Sequence, residues 1–167
     1  MPFGGPNCKG DDSMRSVRLL SAAAAVGTFW VIVFGKIVRV TGASTSIPDW
    51  PLAFGRLVPK MNFLVFWEWS HRLLAFVVCI MMVALIVRAA RLPGKLWLYC
   101  SMSLVLLLAT SLLGGLLIQY HLHWVFAALD QACGMLFFAS VVGLAVWSRL
   151  VDVDAAGRRV NSTHPRG

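Results

Sequence analysis

Four apolar stretches, at about Leu19–Val40, Met61–Val87, Leu96–Tyr120 and Trp124–Leu150, occupy most of a chain of 167 residues. Each supplies the roughly 20 residues that a helix needs to cross the hydrocarbon core of a bilayer. The composition agrees with that reading: 59% of residues are hydrophobic, 13% are charged, and the mean hydropathy is +0.76. A chain built this way is a membrane protein, and no room remains for a water-soluble domain. The connections are short, so sequential helices are expected to pack antiparallel. The predicted fold class is therefore an all-α membrane protein, a four-transmembrane-helix bundle with both termini on one side.

Lysine and arginine set the orientation. Lys9, Arg15 and Arg18 precede the first span, Arg88, Arg91 and Lys95 fill the second connection, and Arg149, Arg158, Arg159 and Arg166 follow the last span. The first connection carries Lys36, Arg39, Arg56 and Lys60, and the third carries none. Ten against four places both termini in the cytoplasm. The formal charge of +8 is then a topology signal and an attraction to anionic lipid, not a nucleic-acid footprint. Residues 1–16, rich in glycine and proline, are expected to be a disordered cytoplasmic N-terminus. Residues 17–150 form the bundle, and 151–167 a basic cytoplasmic tail. Small residues at Ser21–Ala25 come too early for signal-peptide cleavage, because the apolar run continues to Gly35. Cys8, Cys79, Cys100 and Cys133 lie in predicted spans or on the cytoplasmic side, so no disulfide is expected, and no CxxC spacing occurs.

The first connection, roughly Thr41–Lys60, is long and rich in proline and glycine, which exclude regular structure. It also carries Ile47, Trp50, Leu52, Phe54, Leu57 and Val58. A merely solvated loop would not, so it is predicted to fold back as a lid on the bundle, with Trp50 at headgroup level. Trp67, Trp69 and Trp124 on the outer side, and Trp97 and Trp147 on the inner, fit aromatic belts.

Inside the second span stands Glu68-Trp69-Ser70-His71-Arg72. Ionisable side chains cost a few kcal/mol each in a membrane and mark function by default. Glu68, His71 and Arg72 at i, i+3 and i+4 project from one helix face. An imidazole flanked by a carboxylate and a guanidinium suits a buried cofactor or proton site. The bland reading is a Glu–Arg pair that only specifies packing. In the fourth span Asp130-Gln131 are the strongly polar residues. Asp130 falls within roughly a turn of His71 in depth, at about 1.5 Å per residue. A shared site is one reading; a structural pair of Asp130 with Arg72 or Arg39 is the other. His121 and His123 at the third connection read as interfacial histidines before they read as metal ligands. Gly114-Gly115, Ala127, Ala128 and Gly134 are expected to let helices approach closely.

Val38-Arg39-Val40-Thr41-Gly42-Ala43, Ile47-Pro48-Asp49-Trp50-Pro51-Leu52 with Phe54-Gly55, Glu68-Trp69-Ser70-His71-Arg72 and Leu112-Leu113-Gly114-Gly115 carry a resemblance. Their order and spacing resemble one four-helix half, most nearly the N-terminal half, of the haem A synthase family of cytochrome oxidase biogenesis. Members of that family typically have eight spans in two such halves and oxidise a ring methyl of haem O to the formyl group of haem A. The resemblance implies a b- or o-type haem, with His71 as axial iron ligand and Glu68 as the acid beside the reacting porphyrin edge. Arg72 and Arg39 would face the propionates. It also implies haem O as substrate, an inner-membrane location and a homo-oligomer or a place in a larger membrane complex. Two positions depart from the family pattern. Asp130 stands where the last helix supplies a second histidine, and a carboxylate is a poorer haem ligand than imidazole. Ser46, Ile47 and Ala53 stand around the loop segment where many members carry a cysteine pair. Three readings remain open on sequence: a haem A synthase-like enzyme, a non-catalytic haem-binding or structural subunit of a respiratory membrane complex, and a proton conduit.

Overall fold

The computed structural model describes the backbone of residues 8–49, 52–92, 94–120 and 124–163, and side chains of those between 13 and 151. Four helices follow in order: α1 Cys8–Val40, α2 Phe63–Ala89, α3 Leu96–Gln119 and α4 Trp124–Thr163. Segments of 24 to 28 residues within them are long and apolar enough to cross a membrane. Helix is the expected state there, because a backbone in lipid must satisfy its own N–H and C=O groups. α1 packs on α2 and α4, and α3 packs on the same two, so the helices form a square in which sequence neighbours are spatial neighbours.

Local signals mark two helix boundaries beside the first connection. Asn62 caps α2 by accepting the Val65 N–H at 2.9 Å through Oδ1. α1 stops at Val40, and Gly42 follows at φ +72°, a left-handed conformation that a Cβ would oppose. At the other end of the bundle, helix extends further than expected. α1 opens at Cys8, inside the stretch predicted to lack regular structure, and α4 continues to Thr163 through the basic tail.

The bundle is not uniform along its axis. The half that carries the termini is close-packed. Val17, Ala24, Val78, Met82, Leu85, Ala89, Cys100, Leu107, Phe137, Val141 and Leu144 are buried there as one cluster. Small residues bring the helices together: Ser21 and Ser148 meet with their Oγ atoms 3.4 Å apart across α1 and α4. A Cβ on Gly27 would come within 2.9 Å of Val78 Cγ2, so α1 lies on α2 as closely as glycine permits. The half nearer the first connection is open. Gly114 and Gly115, expected to bring helices together, line a cavity instead, and a Cβ on Gly114 would meet nothing within 4 Å. Their lack of a side chain makes room there. Gly134 combines both effects: it lines the cavity, and a Cβ added there would stand 3.8 Å from Thr110 Cγ2.

Candidate functional site

The cavity measures about 810 Å³, within the range of roughly 300–1,000 Å³ typical of small-molecule and cofactor sites. All four helices and the first connection wall it. Glu68, His71 and Arg72 enter from α2, Gly35, Lys36 and Arg39 from α1, and Asp130 and Gln131 from α4. Glu68, His71, Arg72, Arg39 and Asp130, singled out from the sequence, therefore border one space. What each does there differs.

Glu68 is 3% exposed, and its two oxygens accept separate partners: Arg72 Nη2 at 2.6 Å on Oε1 and Ser46 Oγ at 3.3 Å on Oε2. The i, i+4 spacing makes the ion pair possible without bending the helix. Arg72 does more than balance Glu68. Its Nη1 donates to the carbonyls of Asp49 at 2.7 Å and Leu52 at 3.0 Å, and its Nη2 to Ile47 at 3.2 Å. A guanidinium carries five donors in a rigid fork, and here that fork gathers three loop carbonyls and one carboxylate. The loop is thus tied to α2 by a half-buried charge.

Other contacts complete the closure. Ile47, Ala53 and Val65 form a small buried cluster against Trp69, whose Nε1 donates to the Leu57 carbonyl at 2.8 Å. Trp69, expected in a lipid belt, is a fastening point of the loop. Asp49 accepts the Phe54 and Gly55 N–H groups at 2.7 and 2.8 Å, which shapes a tight turn between Ala53 and Arg56. Both central residues of that turn have positive φ, +54° at Phe54 and +66° at Gly55, as a mirror-image hairpin turn requires. The lid reading of the first connection fits this geometry. Trp50 and Pro51 lie outside the described residues.

His71 is placed differently from its neighbours. Its ring lies against α1, so that a Cβ on Gly35 would stand 3.1 Å from Cε1. Its Nδ1 is buried and has no hydrogen-bond partner, which is rare because an unsatisfied buried polar atom carries its full desolvation penalty. Asp130 accepts Arg39 Nη2 at 3.4 Å, the structural pairing considered from sequence, while both side chains line the cavity. The polar groups thus fall into two separate sets, Glu68 with Arg72 and Ser46, and Asp130 with Arg39. Four cations, Lys36, Arg39, Arg56 and Arg72, border the cavity against two carboxylates, so its rim favours anionic groups. Among the described residues no cluster of three or more His, Cys, Asp or Glu side chains is arranged to hold a bare metal ion. His121 and His123 lie outside the described residues.

Sequence reasoning missed Gly35, Ser46 and the carbonyls that Arg72 gathers. Gly35, a glycine inside a helical run, was a legible sign of close approach. The carbonyls were not legible, because every residue has one.

Comparison with known proteins finds curated relatives. The chain is 32% identical to heme A synthase of Bacillus pumilus over 136 residues, which are 78% of this chain and 44% of that protein. It is 33% identical over 147 residues to heme A synthase of Geobacillus thermodenitrificans, 81% of this chain and 45% of that one. A third, from Bacillus licheniformis, is 24% identical over 79% of this chain. The chain spans about half the length of the curated relatives it matches. No family model and no solved structure matches it.

Proposed function

We propose, on the premise that this multi-pass inner-membrane protein is kin to the heme A synthases, that its cavity binds haem and that it takes part in converting haem O to haem A. One observation carries the reading: the imidazole of His71 lines a cavity of cofactor size, and its buried Nδ1 has no partner. A haem iron is the kind of group that claims such a ring, since imidazole is a common axial ligand. When bound, haem would supply the oxygen chemistry that turns a ring methyl into a formyl group.

The chain's own residues then have distinct tasks. His71 would hold the iron, and Gly35 leaves space for its ring. Glu68, buried and held by Arg72 and Ser46, would manage protons or stabilise developing positive charge on the bound group. Arg39 offers donors to anionic propionates, which suit guanidinium forks. Arg72 adds positive field from a guanidinium that the loop already holds. The loop shields the site from water, which strengthens electrostatic interactions inside it. Both termini on the cytoplasmic side, and an oligomer or larger membrane complex, belong to the same proposal. Among the described residues of the bundle, His71 is the one imidazole that lines the cavity.

Asp130 favours a second reading. At the position where the family's last helix supplies histidine, this chain has a carboxylate engaged by Arg39. A haem-binding subunit without catalysis would tolerate that exchange.

The optical spectrum and pyridine haemochrome of the protein purified in mild detergent test the proposal. A Soret band with b- or o-type haem is expected, and haem A in the extract marks catalysis. His71→Ala is expected to abolish haem retention while the bundle still inserts; full haem with an unchanged spectrum in that variant excludes His71 as ligand. Asp130→His is expected to convert the iron to a six-coordinate low-spin form. An unchanged spectrum would mean that Asp130 does not face the iron.

A further inference from the structure

The cavity is polar at one end and apolar along one side. Its cations cluster at the loop end, and the exposed apolar side chains of its helical lining are gathered on two of the four walls. On α1 and α4 the apolar side chains that line it are buried or half-buried, from Val31 and Ile32 to Phe137, which is 2% exposed. On α2 and α3 four apolar lining side chains are bare on their other side: Leu73 at 45%, Phe76 at 62%, Leu108 at 52% and Leu112 at 57% exposed. Counted at about 1.5 Å per residue from the loop end, all four stand roughly 10–20 Å along their helices. They share one level, inside the predicted hydrocarbon region. α2 and α3 also make the least extensive contact of the four neighbouring helix pairs. Behind this seam Gly114 leaves open space where any other residue would place a Cβ.

A chamber of that kind holds an amphiphile, with anionic groups at the cationic rim and an apolar chain directed sideways towards lipid tails. We infer that the seam between α2 and α3 seats the long isoprenoid substituent by which haem O differs from haem B. Leu73 and Phe76 form one lip, and Leu108 and Leu112 the other. The inference rests on the haem reading above and adds to it the part of the substrate that the seam distinguishes. The seam is apolar and continuous with lipid, so the substituent exchanges one hydrocarbon environment for another. It enters at little cost, and obstruction alone decides whether it fits.

The test is optical titration of the haem-depleted protein in lipid nanodiscs with haem O and, separately, with haem B. The double variant Leu73→Trp/Leu108→Trp narrows the seam from both sides without adding charge. Val105→Trp is the control, because Val105 is also exposed on α3, at 56%, and does not line the cavity. The seam variant is expected to weaken haem O binding at least about tenfold while haem B affinity stays within about twofold, and the control to leave both unchanged. If haem O and haem B respond alike to the seam variant, whether both are unaffected or both weakened, the seam does not seat the substituent. If the unaltered protein binds neither haem, the functional reading fails and this inference fails with it.

Discussion

Asp49 illustrates how much of the loop's form rests on single residues. Its carboxylate accepts the Gly55 and Phe54 N–H groups, and these bonds, aided by the charge of Arg72, hold its pKa below the ordinary 3.8. A carboxylate whose folded-state pKa is lowered stabilises the fold fully above its ordinary value. That contribution is lost as the pH falls through the lowered folded one. Hydrogen exchange at the Phe54 and Gly55 amides, corrected for intrinsic rates, is therefore expected to lose protection as the pH drops below 3.8. Asp49→Ala should lack that protection at every pH, and protection that persists through the acid range would refute the assignment. The spacing of Asp49 from Phe54-Gly55 was visible in sequence as part of a family-like run. Its purpose was not, because the bonds depend on the fold of the turn. His71 is the converse case: its chemistry was legible from one intramembrane imidazole, and the lack of a partner at its buried Nδ1 only from the fold.

At the level of elements, the first connection and α2 act together through Arg72. The apolar residues of the loop already predicted a lid. The fastening depends on the guanidinium reaching Asp49, Leu52 and Ile47 carbonyls while it balances Glu68. Arg72→Lys keeps the charge and loses the fork, so protease cleavage within residues 41–62 is expected to rise while the helices stay intact. Arg72→Ala should be far worse, because a buried carboxylate left without its partner costs about 3–5 kcal/mol. Equal protease resistance of Arg72→Lys and the unaltered protein would mean that the apolar cluster of Ile47, Ala53, Val65 and Trp69 holds the loop without the clamp. Helix positions followed hydropathy closely in the middle of the chain. The outer turns of α1 and α4 did not, because polar helical residues beyond a membrane carry no hydropathy signal.

The whole molecule is a bundle closed at the end that carries its termini and hollow at the other. The close-packed half provides rigidity, and the hollow half provides a chamber whose walls bear the ionisable residues. Gly114→Leu probes this division. A Cβ there meets no atom within 4 Å, so the larger side chain is expected to enter the cavity without disturbing the helices. Thermal stability should hold or rise, since added contacts fill empty space, while haem uptake should fall. A variant that unfolds would mean that Gly114 does not border open space, and a folded one that still takes up a full complement of haem would show that the cavity is not the haem site.

Sequence alone determined that the chain spans a membrane four times as antiparallel helices. It also determined that Glu68, His71 and Arg72 share one face, because hydropathy and helical spacing are local properties. Resemblance to the heme A synthases was legible for the same reason, in short runs of ordered residues. Only the tertiary structure decided that Arg72 is spent on the loop, that Asp130 is matched with Arg39 and that the glycines of α3 open a chamber. Each of these depends on which atoms of distant segments come within bonding distance, and no spacing along a single chain encodes that.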